Sequence, residues 1–424
     1  MGLRPEILSQ QAQPKRLPGT QLPTQQARPF PSTDELSWTT GKLSSMALVG
    51  GLSLGPVSER SAAINAEVSA AWLAKGTTSL ELFRRMMERA TDFSWLKNGD
   101  TVLVKLTLNS GCKYPMTSDP WSLECLLKVL REHGARKIFV GDQPSARHVV
   151  RTAEGYEKGS SRELARSAGL LEVIERDGAT PVFFEERGYG AYLEALPAGE
   201  HHWPRPMQMT SLVKEVDHII YLPRLGSHGL ADFTSGMKIA VGFLREDSRR
   251  VLHQGGGNYY AMYQEINEVP EIKSRVRLAV TSGRLVLSLI GPDAGYIVEP
   301  ECGPVFASEN LLAHDAFAYA FLQYARQYLT PKDASDASIG PGTLWDVQKM
   351  RTSRNRGLLK LVWKLEEKDV PEMVVFQPGS IYQHPALMNY MRLNRSREIS
   401  FSVTEVNQCT DDRAREYVRQ QLTV

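Results

Sequence analysis

The chain has 424 residues, 42% of them hydrophobic and 23% charged, which suits a large globular domain with additions or two to three domains. Fifty Lys and Arg against 48 Asp and Glu leave a net charge of +2, so the chain carries neither an electrostatic footprint for nucleic acid nor an acidic tail. The four cysteines, Cys112, Cys125, Cys302 and Cys409, form no CxxC; this excludes a zinc ribbon or ferredoxin-type cluster, argues against a disulfide scaffold, and fits a reducing, cytoplasmic compartment.

Residues 1–44 are rich in Gln, Pro and Thr and read as a disordered leader without a secretory signal. The run Ala47 to Leu52 reads as a first strand, and no run of apolar residues reaches the length of a membrane span. Apolar positions at helical spacing predict a helix over Leu80 to Met87. The turn signal Asn98-Gly99-Asp100 precedes a predicted strand, Thr101 to Leu106. A helix over Ser122 to His133, closed by Gly134, leads to a strand from Lys137 to Val140 that ends at Gly141-Asp142. A helix over 160–176 and strands at Pro181 to Phe184 and Asp217 to Leu222 follow. Apolar strands alternating with helices predict an α/β fold, with a parallel-sheet βαβ core covered on both faces, within residues 45–330.

Pro331 to Gly342 reads as a linker, and residues 331–424 as a small α+β C-terminal appendage. Its expected parts are a helix with an apolar stripe (Leu358, Leu359, Val362, Trp363, Leu365), strands Met373 to Phe376 and Ile399 to Val403, and a terminal helix starting near Asp411.

In a parallel sheet, ligands bind beyond the carboxyl ends of the strands, so polar residues there rank first. Four clusters qualify. Lys105, Thr107, Asn109, Lys113, Thr117 and Asp119 follow the first long strand. Asp142, Gln143, Arg147 and His148 follow the second. The densest cluster holds Arg224, His228, Thr234, Ser235, Lys238 and His253. The fourth holds Asp293, Ser308, His314 and Asp315.

In the densest cluster, Thr234 or Ser235 is expected to cap a helix beginning near Lys238, which would place an anion site at its start. Apolar Met237, Ile239, Ala240 and Val241 around Lys238 predict a depressed pKa, suited to a nucleophile or an acid/base group. Each residue has a plainer alternative: a lysine reaching solvent for Lys105, a turn aspartate for Asp142, a loop histidine for His228. Gly255-Gly256-Gly257 matches no phosphate-binding fingerprint and reads as a hinge or lid.

In order and spacing these segments resemble the domain-of-unknown-function 362 family. The matching stretches are Val104-Lys105-Leu106-Thr107, Thr117-Ser118-Asp119-Pro120, Gly141-Asp142, Pro223-Arg224-Leu225-Gly226-Ser227-His228, Thr234-Ser235-Gly236-Met237-Lys238-Ile239, His253, Glu301-Cys302-Gly303-Pro304 and Ser308 to Asp315. Arg224 and Gly226 stand where the family pattern has lysines, and Thr107 and Ile239 where it has asparagines. More distantly, the spacing of His228, Lys238 and His253 is similar to that in the N-terminal domain of the lactate racemase family. That resemblance implies a metal-containing cofactor, a nickel-pincer nucleotide, attached at Lys238, with His253 as a metal ligand and His228 as an acid/base group.

The expectation is therefore an enzyme acting on a small anionic organic acid by proton or hydride transfer, in the manner of a racemase or epimerase. His228, Lys238 and Lys105 are the catalytic candidates. Arg224, Thr117, Asp142 and Thr234 are the substrate-binding candidates, and His253 the metal ligand. The alternatives are a non-catalytic anion- or cofactor-binding module and a metal- or redox-associated protein. The expected partner is a small anionic molecule, with no nucleic acid and no membrane span.

Overall fold

A strand covered on both faces needs apolar side chains at consecutive positions, because neither side of its pleat meets water. Strands β2 (Thr101–Leu106) and β9 (His218–Leu222) meet that condition over Val102 to Val104 and Ile219 to Leu222, with Lys105 a buried charged exception in β2. Val102, Val104, Leu106, Ile220 and Leu222 enter one core, and Leu103, Ile219 and Tyr221 enter the other. The computed structural model describes residues 64–332, 380–394 and 399–423, together with Lys360 and Glu366. The expected leader 1–44, the strand at Ala47 to Leu52, residues 333–342 of the linker, the helix around Leu358 and the strand Met373 to Phe376 lie outside the described residues.

The chain runs β1 (Ile64–Ala74), α1 (Leu80–Ala90), β2, α2 (Pro120–Glu132), β3 (Lys137–Gly141), β4 (Val150–Arg151), β5 (Tyr156–Lys158), α3 (Ser161–Ser167), α4 (Leu171–Arg176) and β6 (Thr180–Pro181). It continues through β7 (Tyr192–Ala195), β8 (Met207–Thr210), α5 (Leu212–Glu215), β9, β10 (Arg224–His228), β11 (Asp232–Thr234), α6 (Glu246–His253), α7 (Tyr259–Glu265) and α8 (Pro270–Lys273). Then come β12 (Val276–Ile290), β13 (Gly295–Val298), β14 (Cys302–Ser308), α9 (Leu311–Tyr328), α10 (Pro385–Leu393), β15 (Ile399–Glu405) and α11 (Arg413–Leu422).

The central sheet has the order β15-β1-β14-β12-β9-β2-β3-β6. From β12 to β6 every neighbouring pair is parallel, and β14 runs antiparallel to both β1 and β12. The α/β class with a mostly parallel βαβ core thus holds. Helices α1 and α2 cover one face through Phe83, Met86, Leu123, Leu126 and Leu130, while α7 and α9 cover the other through Tyr259, Tyr263, Phe317 and Phe321. Ser79 caps α1 and Asp119 caps α2, with Pro120 at its first position.

Several elements depart from the sequence reading. The expected helix over 160–176 is two short helices, α3 and α4, parted by Ala168-Gly169-Leu170. The expected strand Pro181 to Phe184 pairs with β3 only through Thr180 and Pro181, and Phe184–Arg187 curls into a 3-10 helix. Proline has no N–H to continue a ladder there. The C-terminal α+β segment, expected beside the core, gives its strand to it: β15 pairs in parallel with β1 from Ile64↔Ile399 to Ala70↔Glu405.

Cys302 and Cys409 form a disulfide across 107 residues, against the expectation drawn from cysteine scarcity. Spacing could not reveal it, because the two residues meet only when β14 and β15 take places on either side of β1. Among the described residues no helix is long and apolar enough to cross a membrane.

Candidate functional site

Strand β9 is buried along its whole length and stops at Pro223. Strand β10 starts at once with Arg224, and the long β12 serves both strands. It pairs with β9 at Val276, Leu278 and Ala279, and with β10 at Ser282 and Leu287. This change of partner carries Arg224 past the carboxyl end of β9, where a crevice opens in parallel sheets.

Arg224 is 1% exposed. One of its terminal nitrogens, Nη2, donates to the Ser227 carbonyl at 3.2 Å, and Nη1 has no hydrogen-bond partner. It lines a cavity of about 70 Å³ together with His228, Thr234, Lys238, Asp142 and Arg249. Arg224, His228, Thr234, Lys238 and Asp142 are thus brought to one place. Thr117 is not among the lining residues; it is buried, and its hydroxyl donates to the Cys112 carbonyl at 2.9 Å.

Lys238 does not open an α-helix capped by Thr234 or Ser235. Thr234 ends β11, and Lys238 starts a 3-10 helix, Lys238–Phe243, whose N-terminal residue Met237 has no side-chain cap. The carboxylate of Asp315, the fifth residue of α9, takes over that task. It accepts from the N–H groups of Gly236 at 2.6 Å and Met237 at 2.9 Å. A Cβ on residue 236 would stand 2.9 Å from that carboxylate and 2.7 Å from the His314 ring, so only glycine lets it reach the backbone.

The electrostatics follow from burial without counter-charge. Burial, with Arg224 and Arg249 nearby, lowers the Lys238 pKa to about 7. Burial lowers Arg224 to about 10, against the attraction of Asp293. Burial and the charges of Lys238, Arg224 and His253 hold His228 well below its usual value. His228 Nδ1 accepts from the backbone N–H groups of Leu230 and Ala231 at 3.1 and 3.2 Å. Two donors on Nδ1 place the ring proton of neutral His228 on Nε2. His253 Nδ1 donates to the Arg249 carbonyl at 2.6 Å, and burial lowers its pKa to about 4.

Lys105 is fully buried, with Nζ 2.5 Å from Asp142 Oδ1. Asp142 also accepts from the backbone of Leu108 and Gln143, at 2.7 Å each. The pair therefore forms a neutralised floor under the cavity. Gly242 seals it: a Cβ there would lie 2.2 Å from both Lys105 Nζ and Asp142 Oδ1.

Sequence reasoning missed Arg249. Its guanidinium is buried and donates to the carbonyls of Leu244, Pro144, Gln143 and Gly242, tying α6 to the loop after β3. The usable signal is its position four residues before His253, on the same face of α6. Asp315 and Asp293 stood in the fourth cluster, but their targets lie far away in sequence.

The cofactor implied at Lys238 needs more room than this site gives. Nucleotide-sized ligands need roughly 300 Å³ or more, whereas this cavity offers about 70 Å³. His253 is not among the lining residues, and among the described residues no three His, Cys, Asp or Glu side chains gather to hold a metal. The residues in this geometry do not fit a nucleotide-sized metal cofactor.

Residues 102–320, just over half of the chain, match the family described as "Domain of unknown function (DUF362)". No curated protein matches the chain. Among solved structures, the lactate racemase apoprotein from Thermoanaerobacterium thermosaccharolyticum is similar, with 12% identity and a TM-score of 0.39 over 85% of this chain and 86% of that one.

Proposed function

The chain belongs to the DUF362 family of domains of unknown function, and from that premise we propose that it binds a small organic acid anion and moves a proton on it. One observation carries the reading: a buried guanidinium with an unpartnered nitrogen, Nη1 of Arg224, belongs to the lining of a small cavity beside Lys238 and His228. An unpaired donor in low dielectric is costly to leave unmade, and a carboxylate is its natural complement. The volume sets the size. About 70 Å³ holds about five water-sized groups, the scale of a two- or three-carbon acid.

Each residue then has one task. Arg224 binds the carboxylate. The Nε2–H of neutral His228 donates to an oxygen beside it. Lys238, whose pKa of about 7 leaves much of it as free amine at neutral pH, accepts a proton from the bound acid and returns it. This reassigns the acid/base work expected of His228, whose Nδ1 lone pair is taken by two backbone donors. An isomerase-style reaction, in which the removed proton comes back, needs no further reactant.

The test uses the full chain, calorimetric titration with glycolate, lactate and pyruvate, and NMR in D2O. We expect binding together with deuterium entry at the carbon-bound position. Lys238→Met should abolish the exchange and keep binding, and Arg224→Met should abolish both. Binding without exchange in the wild type overturns the catalytic part and leaves an anion-binding module. Binding of none of the three acids overturns the site.

A further inference from the structure

We propose that Asp293, at the tip of the β12–β13 hairpin, fixes the charge of the substrate: the site takes small monoanionic acids with a neutral far end and rejects those with a second carboxylate. The inference rests on the anion-binding reading above and names the substrate class for that site.

Asp293 stands where three segments from three strand ends converge. Its Oδ1 accepts from the amide of Asn109, in the segment after β2. Its Oδ2 lies 3.1 Å from His148 Nε2 and 3.8 Å from Arg147 Nη1, both in the loop after β3. Its carbonyl accepts from the Cys112 thiol at 3.5 Å. Asn109 and Pro292 line the cavity, and Asp293, which is not itself a lining residue, stands directly behind them, bonded to the Asn109 amide. Its side chain is 14% exposed. Arg147 is 64% exposed, so water screens it and it offsets little of the Asp293 charge.

The cavity therefore has a polarity. Arg224 and Lys238 supply positive charge inside, and Asp293 supplies negative charge at the edge. The two ends sense each other, since Asp293 is the group whose attraction opposes the downward pull of burial on Arg224. A small acid enters carboxylate first, leaving its other end against the rim. A methyl or hydroxymethyl group there meets Pro292 and Asn109 without penalty, whereas a second carboxylate there comes under the field of Asp293 behind them. Like charges brought together in a partly desolvated site weaken binding by about tenfold or more.

The test compares lactate, 2-hydroxybutyrate and malate by calorimetric titration on the full chain. Malate keeps the 2-hydroxy acid head and adds a carboxylate, and 2-hydroxybutyrate controls for length. We expect malate to bind wild type at least about tenfold more weakly than 2-hydroxybutyrate. Asp293→Asn should bring the two within about threefold, with lactate shifting less than about threefold. Asp293→Glu, which keeps the charge, should keep the discrimination and shows whether the position tolerates substitution. Malate binding wild type as tightly as 2-hydroxybutyrate overturns the proposal, as does discrimination that survives in a folded Asp293→Asn. If neither lactate nor 2-hydroxybutyrate binds wild type, the underlying anion site fails instead.

Discussion

Lys105 Nζ sits 2.5 Å from Asp142 Oδ1, and the two side chains are 0% and 6% exposed. A lysine that water cannot reach draws its counter-charge from this carboxylate, and its Nζ also donates to the Leu106 carbonyl at 2.9 Å. Phe184 and Phe243 add their ring faces at 5.8 and 5.3 Å. Removing one member of a buried pair strands the other. Asp142→Asn should therefore lower unfolding stability by about 3–5 kcal/mol. Urea denaturation measures this, and a loss below about 1 kcal/mol would show that water or a rearranged partner rescues Lys105.

Lys238 should make anion binding pH-dependent in a defined direction. Its pKa falls from 10.5 when unfolded to about 7 in the folded chain. An anion favours the ammonium form, so affinity should fall as pH rises through about 7. Stability runs the other way. Between about 7 and 10.5 the unfolded chain binds more protons at this residue, so its contribution to stability increases as pH rises across that window, and the penalty is fully present below it. Titrations from about pH 6 to about pH 9 with Lys238→Met as reference test both slopes. An affinity slope that is the same in the variant assigns the pH dependence to another group.

Arg224→Lys keeps the charge and loses the planar fork. With Nη2 bound to the Ser227 carbonyl and Nη1 left without a protein partner, the native guanidinium can serve backbone and ligand together. A single ammonium cannot span both positions. Affinity for a small carboxylate should drop about tenfold, with little change in melting temperature. Equal affinity in the variant would mean that the carboxylate docks on Lys238 instead.

The Cys302–Cys409 bond encloses 107 residues. Cross-links of such length stabilise by about 2–5 kcal/mol. Reduction, or Cys409→Ser, should lower the thermal midpoint while leaving anion affinity intact, since neither residue lines the cavity. Equal midpoints with and without reductant would show that the sheet pairing of β15 alone holds the C-terminal segment.

Strands β2, β3 and β9 were legible because each reads locally: Thr101 to Leu106 is mostly apolar, with Lys105 its one charged residue, and a turn signal precedes it. The grouping of Arg224, His228 and Lys238 was legible for a similar reason, since fifteen residues carry all three. What stayed hidden depends on distant partners. Nothing around Lys238 announces that Asp315, 77 positions on, shapes the backbone before it; the bonds from Gly236 and Met237 span 79 and 78 residues. Thr117 illustrates the converse. It stands in a suggestive motif, yet its hydroxyl is consumed by a carbonyl five residues away. The Lys105–Asp142 bond was within reach of inspection, because adjacent parallel strands β2 and β3 place their ends side by side, with Lys105 opposite Gly141.

The position of β15 also has a consequence in time. Strand β1 lies near the start of the described chain, and the strand that covers its outer edge comes near the end. Asn407 even completes the ladder with its side chain, accepting from Trp72 N at 2.9 Å and donating to Trp72 O at 2.7 Å across 335 residues. During synthesis the β2–β3–β9 region is complete long before that partner leaves the ribosome. A nascent chain thus spends most of its elongation with β1 unprotected on one side, a template for pairing with other strands. Strand β15 acts as a closing seam, and a chain truncated before Ile399 inherits the open edge permanently.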